Sequence, residues 1–160
     1  MEFMTGVKKK EDISVKTLLE TPEGTEVKLE GAVHIIRDMG EVAFVILRKS
    51  EGLVQCVYEE GSVDFPLKDL KEESAVAVTG TVKKEDRAPG GIEVRLQTIT
   101  VLSEPTEPMP LAVNKWKMNT SLEAMLNMRP IALRNVRERA KLVSYTHLRA
   151  HETELHLVCR

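Results

Sequence analysis

No run of about 18 apolar residues occurs in this sequence, so it offers no helical membrane span. The first residues, MEFMTGVKKKED, carry charge without an apolar segment and do not read as a secretory leader. Cysteine is scarce. Cys56 and Cys159 lie far apart, and Cys56 falls within an apolar run, which excludes a disulfide framework. A reduced, cytoplasmic protein is the expectation. Neither sign of charge dominates: 30% of residues are charged, yet the formal net charge is −2. No global basic field recruits nucleic acid, so any such surface has to be a local patch.

At 160 residues the chain is long enough to bury a core unaided, as one domain with an appendage. The most informative stretch is Arg37 to Tyr58, RDMGEVAFVILRKSEGLVQCVY, which reads as two strands joined at Ser50-Glu51-Gly52. Val42, Phe44 and Ile46 share one parity, and Ala43, Val45 and Leu47 share the other. A half-exposed strand needs only one apolar face. An aromatic on the face that meets water suggests a binding surface. Beyond the turn, Gln55 interrupts Leu53, Val54, Cys56 and Val57. A stacking ring close to an amide suits recognition of an unpaired base.

The flanks set the strand order. VKTLL, from Val15, predicts a turn of helix, and Glu26 to Arg37 alternates as a strand with a bulge or bend expected at Gly31. Pro66 opens a short helix predicted over residues 66–73. Ala75 to Lys83 is a strand with a bend expected at Gly80. Ile92 to Leu102 is a fifth, whose inward parity slips near Thr98, as a one-residue bulge would cause. Three strands, a short helix and two strands is the order of an OB-fold, an all-β five-stranded barrel that binds oligonucleotides on strands 2 and 3 and the flanking loops. A small barrel or sandwich for another ligand is the alternative this pattern leaves open.

Ser103 to Asn114 holds Pro105, Pro108 and Pro110 and reads as a semi-rigid linker. Beyond it, Ser121 to Met128 predicts a brief helix ended by Arg129-Pro130, and Asn135 with Glu138 predicts the start of another over Val136 to Leu142.

KLEGAVHIIRDMGEVAFVILRKSEGLVQCVY resembles the N-terminal anticodon-binding OB domain of the aspartyl- and asparaginyl-tRNA synthetases. In that class II family a G-x-V-x-x-x-R-D-x-G segment leads into F-x-x-L-R and G-x-V-Q strands. LNMRPIALRNVRERA is similar to the family's L-x-x-R-x-x-x-L-R-N lead-in to the catalytic domain. The resemblance spans about residues 13–142 and implies four anticodon contacts. Phe44 matches the aromatic that stacks on a base, and Gln55 the glutamine that bonds a base edge. Arg37 matches the basic residue closing strand 1, and Glu93 an acidic base contact on strand 5, the loosest match. Plain barrel packing for Phe44, a solvated strand position for Gln55, a hairpin ion pair for Arg37 and a surface charge for Glu93 are the unremarkable alternatives.

The implied layout is an OB domain over 1–103, a proline-rich linker over 104–120 and a catalytic-domain lead-in over 121–142. The family's catalytic motifs are not found in this sequence. The resemblance therefore implies a catalytically inactive fragment, with no cofactor and no metal of its own, of a parent that uses ATP and Mg²⁺ to ligate aspartate or asparagine to tRNA. Its partners would be tRNA(Asp), tRNA(Asn) or both, and a second subunit in a homodimeric parent. Aspartate against asparagine stays open, a lysyl enzyme is a lesser alternative, and the loops Asp38–Glu41 and Glu85–Gly91 are expected near the anticodon base that separates the first two. A free-standing OB module without ligase chemistry is the other function class, against which the lead-in segment argues.

Residues 143–160, VSYTHLRAHETELHLVCR, need separate treatment. His147, His151, His156 and Cys159 suggest a metal set. But VSYTHLRAHET is what one frame of a common transposon-end sequencing adapter encodes, and LVCR resembles the flanking adapter, with a junction near Leu142. The tail is therefore read as translated adapter and excluded from fold reasoning.

Overall fold

The structure, a computed structural model, describes residues 12–157, with side chains through Leu148. The chain divides into two compact units, Met1–Thr106 and Glu107–Arg160.

The first unit is a five-stranded closed barrel. Its strands are β1 (Glu26–Asp38), β2 (Val42–Arg48), β3 (Leu53–Glu59), β4 (Ala75–Lys84) and β5 (Ile92–Ser103). They run round the barrel in the order β1-β2-β3-β5-β4, and β4 closes back onto β1. All pairings are antiparallel except β3 with β5. This is the OB-fold expected from the strand order. Helix α1 (Val15–Glu20) precedes it, capped by Ser14, whose hydroxyl accepts from Thr17 N. Val15 N–H donates to the Glu51 carboxylate in the β2–β3 turn at 2.8 Å, tying the helix to the barrel.

Period-two alternation decides which side chains fill the barrel. Ala43, Val45 and Leu47 of β2 and Val54, Cys56 and Tyr58 of β3 point inward and are buried. They meet Leu29 and Val33 of β1, Val76, Val78 and Val82 of β4, and Val94 and Leu96 of β5 in one cluster. Each fully buried Val or Leu contributes about 1.5–3 kcal/mol. Burial also pushes the Cys56 thiol up to about 12, which makes it unreactive at neutral pH.

The bends fall partly where glycine marks them. The β4–β5 register shifts between Thr79 and Gly80, where Thr98 and Leu96 are the partners and Gln97 is skipped. This is the parity slip read near Thr98, after which Ile99 is buried in its place. In β1 the shift lies between Val33 and Ile35, at His34, instead of at Gly31. Gly31 lies close to the neighbouring strand: a Cβ there would sit 3.0 Å from Arg48 O. The helix expected over 66–73 shrinks to one 3-10 turn, Leu67–Asp69. It stops because Leu70 is already extended and buried. Glu73 then turns through a positive φ of 68° and donates its N–H to Val33 O at 2.7 Å, which starts β4 beside β1.

The β1 bulge carries a buried charged cluster. Arg48 binds Glu73 through two bonds of 2.6 Å, and its Nη1 lies 3.3 Å from His34 Nδ1. A guanidinium can only donate, so Nδ1 must be the unprotonated, accepting nitrogen. Burial first, and Arg48 second, lower the His34 pKa, with Glu73 opposing. In the unfolded chain His34 titrates near 6.5. As pH falls through that value the unfolded state gains a proton that the folded state refuses, so folding stability declines. Urea midpoints measured between about pH 7.5 and 5.5 should fall, and His34→Gln should flatten that fall. An unchanged slope in the variant would show that His34 does not control it.

The second unit begins with an irregular segment and continues as α2 (Leu122–Asn127), α3 (Arg129–Ala132) and α4 (Val136–Leu157). Ser121 caps α2, its hydroxyl accepting from Ala124 N at 3.2 Å. Helix α2 ends before Arg129-Pro130, as expected, and Pro130 then sits in the first turn of α3, where its missing N–H costs nothing. Leu111, Val113, Met118 and Ala132 form a small buried cluster. No helix among the described residues is long and apolar enough to cross a membrane.

Candidate nucleic-acid interface

The outward faces of β2 and β3 form an apolar patch interrupted by one amide. Phe44 opposes Val57, and Ile46 opposes Gln55, in the β2–β3 ladder. Phe44 and Gln55 are both half-buried, so each keeps surface for a ligand. Gln55 is also the register partner of Glu93, because β3 and β5 run parallel across the barrel. An open groove of about 340 Å³ results, lined by Phe44, Gln55, Glu93 and Arg95 with Val42 and Val57 at its floor, and by Glu59, Glu85 and Arg87.

Phe44, Gln55 and Glu93 thus come together in one groove. Arg37 does not line it. It is exposed and pairs with Phe44 across the β1–β2 ladder, one strand further out. Glu93 is the most deeply set, 6% exposed, and Lys83 Nζ stands 3.3 Å from its carboxylate and 3.4 Å from that of Glu85. Lys83 faces Glu93 in the β4–β5 ladder, so the two strands fix the pair. At the groove's other side Arg95 Nε lies 4.0 Å from Glu59.

Sequence reasoning did not single out Lys83, Arg95 or Arg87. Arg95 was within reach, since it lies two residues beyond Glu93 on the same strand face. Arg87 and Glu85 belong to the loop already expected beside the ligand. The link from Lys83 to Glu93 had no local signal, because a bulge shifts the register between those strands.

The groove mixes three carboxylates with two arginines, which suits base edges better than phosphates. A carboxylate accepts from exocyclic amino groups, an amide both donates and accepts, and an aromatic face stacks on any base. Among the described residues no group of three or more His, Cys, Asp or Glu is placed to hold a metal ion. Of the C-terminal set, His147 is exposed on α4, while the side chains of His151, His156 and Cys159 lie outside the described residues.

Comparison with known proteins agrees with this geometry. Residues 27–102 match the OB-fold nucleic acid binding domain family, tRNA_anti-codon. The chain is 42% identical over 120 residues to the aspartate–tRNA(Asp/Asn) ligase of Deinococcus radiodurans, covering 75% of this chain and 26% of that one. It is 41% identical over 122 residues to the ligase of the same name from Archaeoglobus fulgidus, covering 74% and 28%. Among solved structures, the asparaginyl-tRNA synthetase of Pyrococcus horikoshii, complexed with asparaginyl-adenylate, superposes with a TM-score of 0.73 at 28% identity over 92% of this chain and 34% of that one. The chain spans about a quarter of the length of the curated relatives it matches.

Proposed function

We propose that this chain recognises the anticodon of tRNA(Asp), of tRNA(Asn) or of both, from the match of residues 27–102 to the OB-fold nucleic acid binding domain family and the similarity to aspartate and asparagine tRNA ligases. The observation that supports this most directly is the convergence of Phe44, Gln55 and Glu93 on one groove. Phe44 stacks on an unpaired base, and Gln55 reads that base or its neighbour through paired donor and acceptor. Glu93, held by Lys83, accepts from an amino group. Arg37, at the outer edge, takes a phosphate or a base edge. Glu85 and Arg87 line the same groove, which supports the loop Glu85–Gly91 as a neighbour of the discriminating base.

In the longer protein this recognition serves ligation of aspartate, or asparagine, to tRNA by a homodimeric enzyme. ATP and Mg²⁺ would belong to the catalytic domain of that enzyme. The layout that goes with this reading is an OB domain, a proline-rich connection and the lead-in to that catalytic domain. The adapter reading of residues 143–160 rests on their sequence, and α4 runs through the junction near Leu142 without a break.

The reading is tested by fluorescence anisotropy with a labelled anticodon stem-loop of tRNA(Asp) and the same hairpin carrying a scrambled anticodon. The matching hairpin should bind at least about tenfold tighter, since each misread base typically costs 1–3 kcal/mol. Equal affinity for the two hairpins would overturn anticodon reading.

A further inference from the structure

The barrel that holds the groove is poorly charged for RNA. Residues 1–106 contain 14 Lys and Arg against 20 Asp and Glu, a net charge of −6. Attraction of phosphates supplies essentially all sequence-independent nucleic-acid affinity. The barrel as a whole repels a polyphosphate, whatever its groove does with bases. The compensating charge lies further along the chain. Residues 107–142 hold seven basic residues against three acidic ones, a net charge of +4.

Part of that excess lies beside an exposed aromatic. Trp116 is 77% exposed, between the exposed Lys115 and Lys117. The Arg137 guanidinium stands 5.7 Å from its ring centroid. Arg129 and Lys141 are further exposed cations of this unit.

The position is built. Asn135 is 3% exposed, and its amide nitrogen donates to Val113 O at 2.9 Å and to Lys115 O at 2.7 Å. Its side-chain oxygen accepts from Arg137 N and Glu138 N, at 3.0 and 3.1 Å, and so caps α4. One buried amide therefore ties the Lys-Trp-Lys loop to the first turn of the helix that carries Arg137. Val113 and Met118, on either side of the loop, are buried in the second unit's small core. A large indole held in solvent between cations is what a stacking platform with phosphate clamps requires.

We infer that the second unit has an RNA contact of its own, in which Lys115, Lys117 and Arg137 bind backbone phosphates and Trp116 stacks on one unpaired or terminal base. This goes beyond anticodon reading and rests on that reading only in taking the ligand to be RNA. It assigns affinity largely to the second unit and base choice to the groove.

Trp116 is the only tryptophan in the chain, so its emission reports this contact directly. The experiment titrates the whole chain with a tRNA(Asp) transcript at several salt concentrations, following tryptophan quenching and binding together. It is repeated with Lys115→Glu/Lys117→Glu, with Phe44→Ala/Gln55→Ala, and with polyglutamate in place of RNA. Both lysine side chains are exposed and the hydrogen bonds of Lys115 run through its backbone, so the charge reversal leaves the fold intact. The transcript should quench Trp116. The charge-reversed chain should bind roughly tenfold more weakly, with a salt slope smaller by about 0.7–0.9 per lost phosphate contact. Loss in the lysine variant with no loss in the groove variant would support this contact and overturn the anticodon reading. Loss in the groove variant, with unchanged emission and salt slope in the lysine variant, would overturn this contact and leave the anticodon reading standing. Equal quenching by polyglutamate would overturn RNA as the ligand and assign the surface to an acidic polypeptide.

Discussion

Phe44→Ala should weaken binding of the matching anticodon stem-loop by about 1–3 kcal/mol, a factor of roughly 5 to 150, while the barrel still folds. The size follows from what is removed. A stacked base loses its aromatic partner, and water, which stacks poorly, replaces it. The fold tolerates the change because β2 divides its side chains by parity. Ala43, Val45 and Leu47 fill the barrel and are essentially inaccessible. Phe44 faces outward and is half-exposed, so its truncation opens no internal cavity. Two companions sharpen the result. Phe44→Leu keeps bulk but not a flat face, and should lose nearly as much affinity. Gln55→Ala should lose about 0.5–1.5 kcal/mol, the worth of one neutral hydrogen bond. Isothermal titration with thermal melts of each variant separates binding from folding. Wild-type affinity in all three variants would remove Phe44 and Gln55 from the interface.

Gly80→Ala should destabilise the barrel by about 3 kcal/mol, at the upper end of what one added methyl costs. A Cβ at Gly80 would lie 2.2 Å from Arg95 O and 2.8 Å from Val94 Cγ1. The first obstacle is backbone and cannot rotate aside. Relief would have to come from separating β4 and β5 at the bulge, beside the pair that sets Lys83 against Glu93. The variant should therefore lose groove geometry together with stability, lowering the denaturation midpoint and RNA affinity in parallel. Gly31→Ala is the control. Its Cβ would stand 3.0 Å from Arg48 O, a contact a few tenths of an ångström of adjustment can ease, so its cost should be clearly smaller. A Gly80→Ala midpoint matching that of wild type would show that the strands part there without penalty.

Local chemistry was legible over much of the described chain. The β2 parities, the hairpin turn, the parity slip in β5 and the cap at Asn135 all appear where the residues place them. Each depends on neighbours within about four positions, the range over which backbone propensity and alternation act. The misses are of another kind. The expected bend at Gly31 gave way to a bulge at His34, where Arg48 and Glu73 close a buried cluster. The predicted helix over 66–73 lost most of its length to the requirement that β4 start beside β1.

The motif arginine Arg48 shows the limit most clearly. Beside Phe44 and Leu47 in sequence it reads as part of one functional strand. In the barrel it binds Glu73 and packs against His34, and it does not line the groove. The sequence by itself determined most of the strands, their faces, and the aromatic ring and amide that those faces present. Tertiary structure alone decided that Gln55 stands beside Glu93, that Lys83 holds Glu93, and that Asn135 secures Trp116 near Arg137. The physical reason is register. A strand's own alternation tells each side chain whether it faces core or solvent. Which residue of a distant strand lies opposite depends on barrel closure and on bulges that shift the ladder by one, and these are fixed only when the whole core packs at once.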